Sequence, residues 1–144
     1  MQPPESIRTL KFPVLLWRKG YSYVANSPLE LCTHPRSLFA DTKRRAQGKE
    51  FVLADADGRI YRVADFDPVR SFGGIKGIAH LILRSVYAAP VLQPMHEIEL
   101  SEFSATIGKA LRGRFGKAFA AELAVAESPS QVLERVAQQD QTSG

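Results

Sequence analysis

The chain has 144 residues, of which 44% are hydrophobic and 24% are charged, and its formal net charge is +4. This composition is typical of a globular protein, not of a disordered chain, and the length predicts one domain that is large enough to bury a sizeable core. The modest excess of positive charge favours acidic partners but is far below that of a histone-like protein.

Both ends of the chain are polar. Residues 1–6 contain two prolines, and residues 138–144 are rich in glutamine, so we expect two flexible tails. The apolar run at residues 14–17 is too short for a signal peptide or a membrane span. The lone Cys32 allows no internal disulfide and fits a reducing compartment. We therefore expect a cytoplasmic protein that does not enter a membrane.

The first half of the chain predicts two hairpins with a helix between them. Residues 12–18 and 21–25 form the first strand pair, which turns at Lys19-Gly20. Residues 51–66 give the strongest signal, because an Asp/Gly turn separates two apolar runs. Between the hairpins, Thr33 is predicted to cap a helix over residues 35–47.

The second half predicts more strands and then helices. Residues 68–77 indicate a Gly-rich loop. Residues 78–87 suit either a strand or a short helix; two later prolines favour a strand, and residues 91–100 again suit an extended chain.

From Ser101 the apolar period becomes helical. We expect Ser101 to cap a helix, glycines 113 and 116 to interrupt it, and residues 117–125 to resume it. Ser128-Pro129 predicts a final helix. The whole chain is predicted as a single α+β domain, with an antiparallel sheet of about five or six strands packed with a helix of the N-terminal half and with C-terminal helices.

The pattern indicates no catalytic or metal site. Cys32 and His34 are close in sequence, but no second ligand pair accompanies them, and they are too local to form a nucleophile and its base. Asp55-x-Asp57-Gly58 lacks the later ligands of a calcium loop. We therefore expect a protein that is not an enzyme and binds no cofactor or metal, although an active site built from distant residues stays open.

Two Gly-x-x-Gly segments provide a nucleic-acid hypothesis. Residues 74–77 contain Lys76, and residues 113–116 contain Arg114, with Lys109 and Arg112 nearby. In KH domains, such a loop between two helices clamps a nucleic-acid backbone, and these cations would favour phosphates. The alternative is that the glycines mark chain reversals and the cations lie on a solvated helix face.

A cluster of Trp17, Arg18, Tyr21 and Tyr23 provides a protein-binding hypothesis. These residue types are enriched in the hot spots of protein interfaces. The alternative is that the aromatic side chains cover the core of a sheet face.

Three segments carry a resemblance to a known group. These segments are FPVLLWRKGYSYV, FVLADADGRIYRV and AFAAELAVAESPSQVLERV. In these segments the chain resembles small bacterial immunity proteins, which neutralise the toxins of interbacterial antagonism systems.

The resemblance implies stoichiometric binding of a toxin and no catalytic residues. The chain has a net positive charge, unlike the acidic inhibitors that mimic nucleic acid. We therefore expect a toxin with an acidic surface, and a nuclease is a less favoured partner. The leading interpretation is a protein-binding module, and the alternative is a nucleic-acid-binding domain. The candidate binding residues are Trp17, Arg18, Arg70, Lys76, Arg112 and Arg114.

Overall fold

A computed structural model describes residues 5–69, 85–97 and 99–143. The strands are β1 Val14–Arg18, β2 Tyr21–Ala25, β3 Thr33–Pro35, β4 Val52–Ala54, β5 Arg59–Pro68 and β6 Ser85–Glu97. The helices are α1 Glu5–Arg8, α2 Pro28–Cys32, α3 Arg36–Gln47, α4 Leu100–Phe115, α5 Lys117–Ala124 and α6 Pro129–Ser143.

The six strands form one antiparallel sheet in the order β2-β1-β4-β5-β6-β3. Helices α1 to α3 pack on one side, which we call the α3 face, and helices α4 to α6 pack on the other, the α4 face. The predicted fold class, α+β with an antiparallel sheet and helices, is confirmed.

Strand β1 is buried on both faces of the sheet. Side chains alternate along a strand, so Val14 and Leu16 enter the core of the α3 face while Leu15 and Trp17 enter the core of the α4 face. All four residues are buried. A continuous apolar run without polar alternation is the pattern of a strand that is covered on both sides.

The core of the α4 face is built mainly from helices. Phe103, Ile107 and Leu111 of α4 lie on one side of the helix and are buried, as their spacing predicts. Helices α5 and α6 complete this core with the buried side chains of Phe119, Leu123, Val132, Leu133 and Val136.

Both predicted hairpins are present. The β4–β5 turn depends on Asp55, which is fully buried and whose Oδ1 accepts hydrogen bonds from the backbone N–H groups of Asp57 and Arg59, each at 3.0 Å. Gly58 has a φ of +85°, a left-handed conformation that favours glycine. The strongest signal in the sequence therefore specifies a turn, and the Asp55 carboxylate stabilises that turn.

The expectation that Thr33 caps α3 was wrong, and residues 27–35 contain a helix and a strand that the sequence did not predict. Ser27 accepts a hydrogen bond from the Glu30 N–H at 3.2 Å and so caps the short helix α2, with Pro28 at its first turn. Thr33 does not cap α3; its hydroxyl donates to the Leu29 carbonyl at 2.6 Å, and residues Thr33–Pro35 form β3 beside β6.

The C-terminal half differs from expectation at the helix ends. Helix α4 begins at Leu100, after Glu99, so Ser101 is not its cap and residues 91–100 are not all extended. Gly113 stays helical, and the chain breaks only at Gly116, where φ is +89°. Helix α6 begins at Pro129 as expected and continues to Ser143, so the helix includes most of the predicted tail.

The Gly-rich loop lies mostly outside the described residues, as does most of the segment 78–87. The described end of that segment, residues 85–87, belongs to strand β6, in agreement with the preferred interpretation.

Candidate binding groove

Helix α3 leaves part of its own face of the sheet uncovered. The helix packs mainly over β5, while β1 and β2 lie beyond it. A groove with a volume of about 1040 Å³ results. The residues that line it are Leu16, Arg18, Tyr21, Tyr23, Leu31, Thr33, His34, Pro35, Arg36, Ser37, Leu38, Asp41, Thr42, Arg45 and Phe51.

Strand register builds the floor of the groove. Arg18 lies opposite Tyr21, and Leu16 lies opposite Tyr23, so these four side chains share one face. Tyr21 and Tyr23 are 40% and 37% exposed, respectively. Partial burial raises the pKa of both phenols, and Arg18 opposes this rise at Tyr21, so both hydroxyls stay protonated at neutral pH and available as donors.

Arg18 is held flat at one end of the groove. Its guanidinium lies over the ring of Tyr21, with 5.4 Å from Cζ to the centroid, and over the ring of Phe51 at 5.8 Å. Its Nη1 donates to the Lys19 carbonyl at 3.2 Å. Its Nε is buried and has no hydrogen-bond partner among the described residues. The aromatic contacts therefore fix a cation whose donors are incompletely used.

The α3 wall carries a charge network. Asp41 accepts hydrogen bonds from Arg44 and from Arg45 Nε, the second at 2.8 Å, and these bonds lower the pKa of the Asp41 carboxyl. Arg45 also donates to Glu50 at 3.2 Å. Beside this network, Leu38 is 58% exposed at the rim. The wall thus combines a fixed ion-pair cluster with an exposed aliphatic side chain.

Cys32 lies in the core of the α3 face, whereas His34 is one of the residues that line the groove. Cys32 is fully buried, and burial raises the pKa of its thiol to about 12. The His34 Nε2 donates to the Ala88 carbonyl at 3.0 Å, and the ring packs against Phe39 and Phe66. Burial lowers the pKa of His34, and the Ala88 bond partly opposes the shift. Cys32 is therefore a core side chain, and the contacts of His34 fix the position of its ring.

Three of the predicted site residues occupy very different places. Arg18 lines the groove, but Trp17 is only 8% exposed and belongs to the core of the α4 face, so its alternative interpretation is correct. Arg114 donates through Nη1 to the Ser22 carbonyl at 3.2 Å, and it also contacts the Ser22 hydroxyl and Asp140. Arg114 therefore ties α4 and α6 to the edge strand β2.

The other predicted residues do not join this patch. Arg112 is exposed on α4 and does not line the groove. Arg70 and Lys76 lie outside the described residues. The second Gly-x-x-Gly segment is helical up to its final glycine, so it does not form the loop that a KH-type clamp requires, although Lys109 and Lys117 are exposed on either side of it.

Sequence reasoning missed the contribution of α3 and β3 to the groove. The alternation of Tyr21 and Tyr23 did indicate one shared face, but no local pattern indicates that Leu38, Asp41 and Arg45 lie across from them. Within the described part of the chain, no three His, Cys, Asp or Glu side chains are grouped to hold a metal ion.

No known protein family, no curated protein and no solved structure matches this chain. Among the described helices, none has the length and apolar character needed to cross a membrane.

Proposed function

We propose that this chain is a non-catalytic protein-binding module that uses the groove between β2 and α3. The observation that carries this proposal is the grouping of Arg18, Tyr21, Tyr23 and Leu38 around one concavity of about 1040 Å³. Tyrosine and arginine are the residue types that contribute most often to binding energy in protein interfaces.

The exposure of large apolar side chains supports a macromolecular partner. Among the described residues, the exposed large hydrophobic side chains are Tyr21, Tyr23, Leu38 and Val125, and the first three line this groove. Exposed apolar surface that is concentrated at one place, with polar groups around it, is typical of interaction sites. The protonated thiol of Cys32, which gives no nucleophile beneath the groove, agrees with a role in binding.

The more specific form of the proposal is a cytoplasmic immunity protein that neutralises a toxin by direct binding. It is supported by the resemblance of three segments to such proteins, and the first of these segments supplies the β1–β2 floor of the groove. The buried thiol of Cys32, the single cysteine, is compatible with a reducing compartment.

Binding to the products of neighbouring genes tests the proposal. Each product is purified, its affinity for this chain is measured by calorimetry, and the relief of its toxicity is measured by growth on co-expression. Tyr23→Ala should weaken a true partner about tenfold, as expected for an interface hot spot. Val125→Ala is the matched control, because Val125 is exposed but does not line the groove.

Two outcomes would contradict the proposal. One is that no neighbouring product binds or is neutralised. The other is that the chain binds labelled single-stranded RNA or DNA with an affinity that falls steeply as salt is added, which would favour the nucleic-acid-binding alternative.

A further inference from the structure

We infer that the groove accepts an acidic segment of the partner protein that also carries apolar side chains, with a partner carboxylate bound by the Arg18 guanidinium. This inference rests on the proposed function and specifies the chemistry of the partner at the same site.

The charges that line the groove favour an acidic occupant. Arg18, Arg36 and Arg45 line it, and among the described lining residues Asp41 is the acidic one. Asp41 pairs with Arg44 and Arg45, and Glu50 pairs with Arg45, so these two carboxylates and two arginines balance one another. Arg18, at the β1–β2 end, forms no ion pair with a described residue, so its charge is available to an acidic ligand.

Arg18 is arranged to bind a carboxylate. Its guanidinium is held over two aromatic rings and makes one hydrogen bond, to the Lys19 carbonyl, among the described residues. A planar guanidinium that is already ordered loses little conformational freedom when it binds a carboxylate, and it can do so through two parallel hydrogen bonds. The Nε is buried, so the two parallel hydrogen bonds to the carboxylate are made by the two Nη groups.

The apolar part of the lining selects against a purely charged ligand. Leu16, Leu31 and Leu38 contribute aliphatic surface beside the two exposed tyrosines. A nucleic-acid strand would bring its phosphates against this aliphatic surface and near the Asp41 carboxylate. A protein segment that combines acidic and apolar side chains satisfies both parts of the groove.

The geometry favours a ligand across the face of the sheet and disfavours one added along the edge of β2. An added strand would need the outward backbone groups of β2. The Arg114 guanidinium already donates to the Ser22 carbonyl at 3.2 Å. The ligand therefore lies on the side chains of Tyr21, Tyr23 and Arg18, which share the α3 face of the sheet.

Charge also disfavours occupation by this chain itself. Residues 70–84 contain Arg70, Lys76 and Arg84 and no acidic residue, so they have the same sign of charge as the groove. A second copy of the chain would bring a net charge of +4 toward it. Both would meet electrostatic repulsion that an acidic segment does not.

Labelled synthetic peptides test the inference on the full chain by fluorescence anisotropy. Three short peptides share alternating leucines and carry glutamate, glutamine or lysine at the other positions. The glutamate peptide should bind about tenfold more tightly than the glutamine peptide, and the lysine peptide should bind least. Amide chemical shifts should change at Tyr21, Tyr23 and Leu38 on binding.

Variants then assign the effect to one side chain. Arg18→Met should weaken the glutamate peptide about tenfold, whereas Arg112→Met, which removes the same charge from exposed helix α4, should leave its affinity within about twofold. Arg18→Lys keeps the positive charge but loses the planar guanidinium, so its affinity for the glutamate peptide should lie between those of Arg18→Met and Arg112→Met. If Arg18→Met does not fold, Arg18→Lys tests the role of the guanidinium in its place.

Three results would overturn the inference. These are equal binding of the glutamate and glutamine peptides, equal effects of Arg18→Met and Arg112→Met, and tighter Arg18-dependent binding of single-stranded RNA than of the glutamate peptide. If a neighbouring gene product binds and Tyr23→Ala weakens it while Arg18→Met does not, the inference fails and the proposed function stands. If the glutamate peptide binds through Arg18 but no gene product does, the proposed function fails and the groove chemistry stands.

Discussion

Replacing Arg114 by methionine should destabilise the fold, because this residue connects three elements. The guanidinium reaches from α4 to the Ser22 carbonyl and hydroxyl of β2 and to Asp140 of α6. Ser22 is only 7% exposed, so its carbonyl has little access to water in the folded protein. Methionine keeps much of the aliphatic packing of arginine and removes only the donors.

The expected loss follows from these contacts. A hydrogen bond from a charged donor contributes about 1.5–3 kcal/mol, and removing it leaves a buried acceptor without a partner. The ion pair with Asp140 is partly exposed, with side-chain exposures of 38% and 33%, so it adds only about 0–1 kcal/mol. Because water can reach an edge strand after the side chain is removed, we expect a total loss of about 2 kcal/mol.

Urea denaturation followed by far-ultraviolet circular dichroism measures this loss. With a slope of about 2 kcal/mol/M, the midpoint of Arg114→Met should fall by about 1 M. Arg112→Met is the control, since it removes the same charge from an exposed position of the same helix. Asp140→Asn should lose only the smaller ion-pair part. Equal midpoints for the Arg114 and Arg112 variants would refute the structural role of Arg114.

Three further predictions concern single positions. Gly113→Ala should raise the free energy of unfolding by about 0.5–1 kcal/mol, because Gly113 is helical and a Cβ there meets no atom within 4 Å. The Lys43 ammonium lowers the pKa of the Asp65 carboxyl from its ordinary value of 3.8, so the ionised pair stabilises the fold above pH 3.8 and this contribution is lost as the pH falls through the lowered pKa. Asp65→Asn should therefore reduce the loss of folding stability at acid pH. Urea denaturation at several pH values measures this. Cys32 should not react with a thiol reagent at pH 8 in the folded protein and should react fully in urea, because burial raises its pKa to about 12.

Each of these predictions has a contradicting result. A Gly113→Ala variant that is less stable than the parent would place this glycine in a loop. An unchanged acid limb in Asp65→Asn would show that the contact with Lys43 is not maintained in solution. Rapid labelling of Cys32 without denaturant would show that the thiol is not enclosed.

Several elements could be predicted because their signals are local. The β4–β5 turn needs only Asp55 and Gly58 within a few residues of each other, and both act as the sequence indicates. The buried side of α4 is visible from the spacing of Phe103, Ile107 and Leu111. In such cases, neighbours along the chain are also neighbours in space.

The segment from Ser27 to Pro35 could not be predicted in the same way. Its helix and strand are each too short to show a periodic pattern, and β3 exists only through pairing with β6, about fifty residues later. Thr33 was therefore assigned to the wrong helix end. The candidate groove has the same origin, because Arg18 and Asp41 are brought to opposite sides of it by the packing of α3 over β5.

The sequence alone was enough to identify the longer strands and helices and their apolar sides, since these depend on side-chain period and turn chemistry over a few residues. The tertiary structure alone decided that Arg114 is used to hold the edge strand β2 and that Arg18 faces an open groove. The roles of these two arginines differ because the position of a helix relative to a distant strand results from the packing of the whole core. That packing depends on many weak contacts between remote residues, which no short stretch of sequence contains.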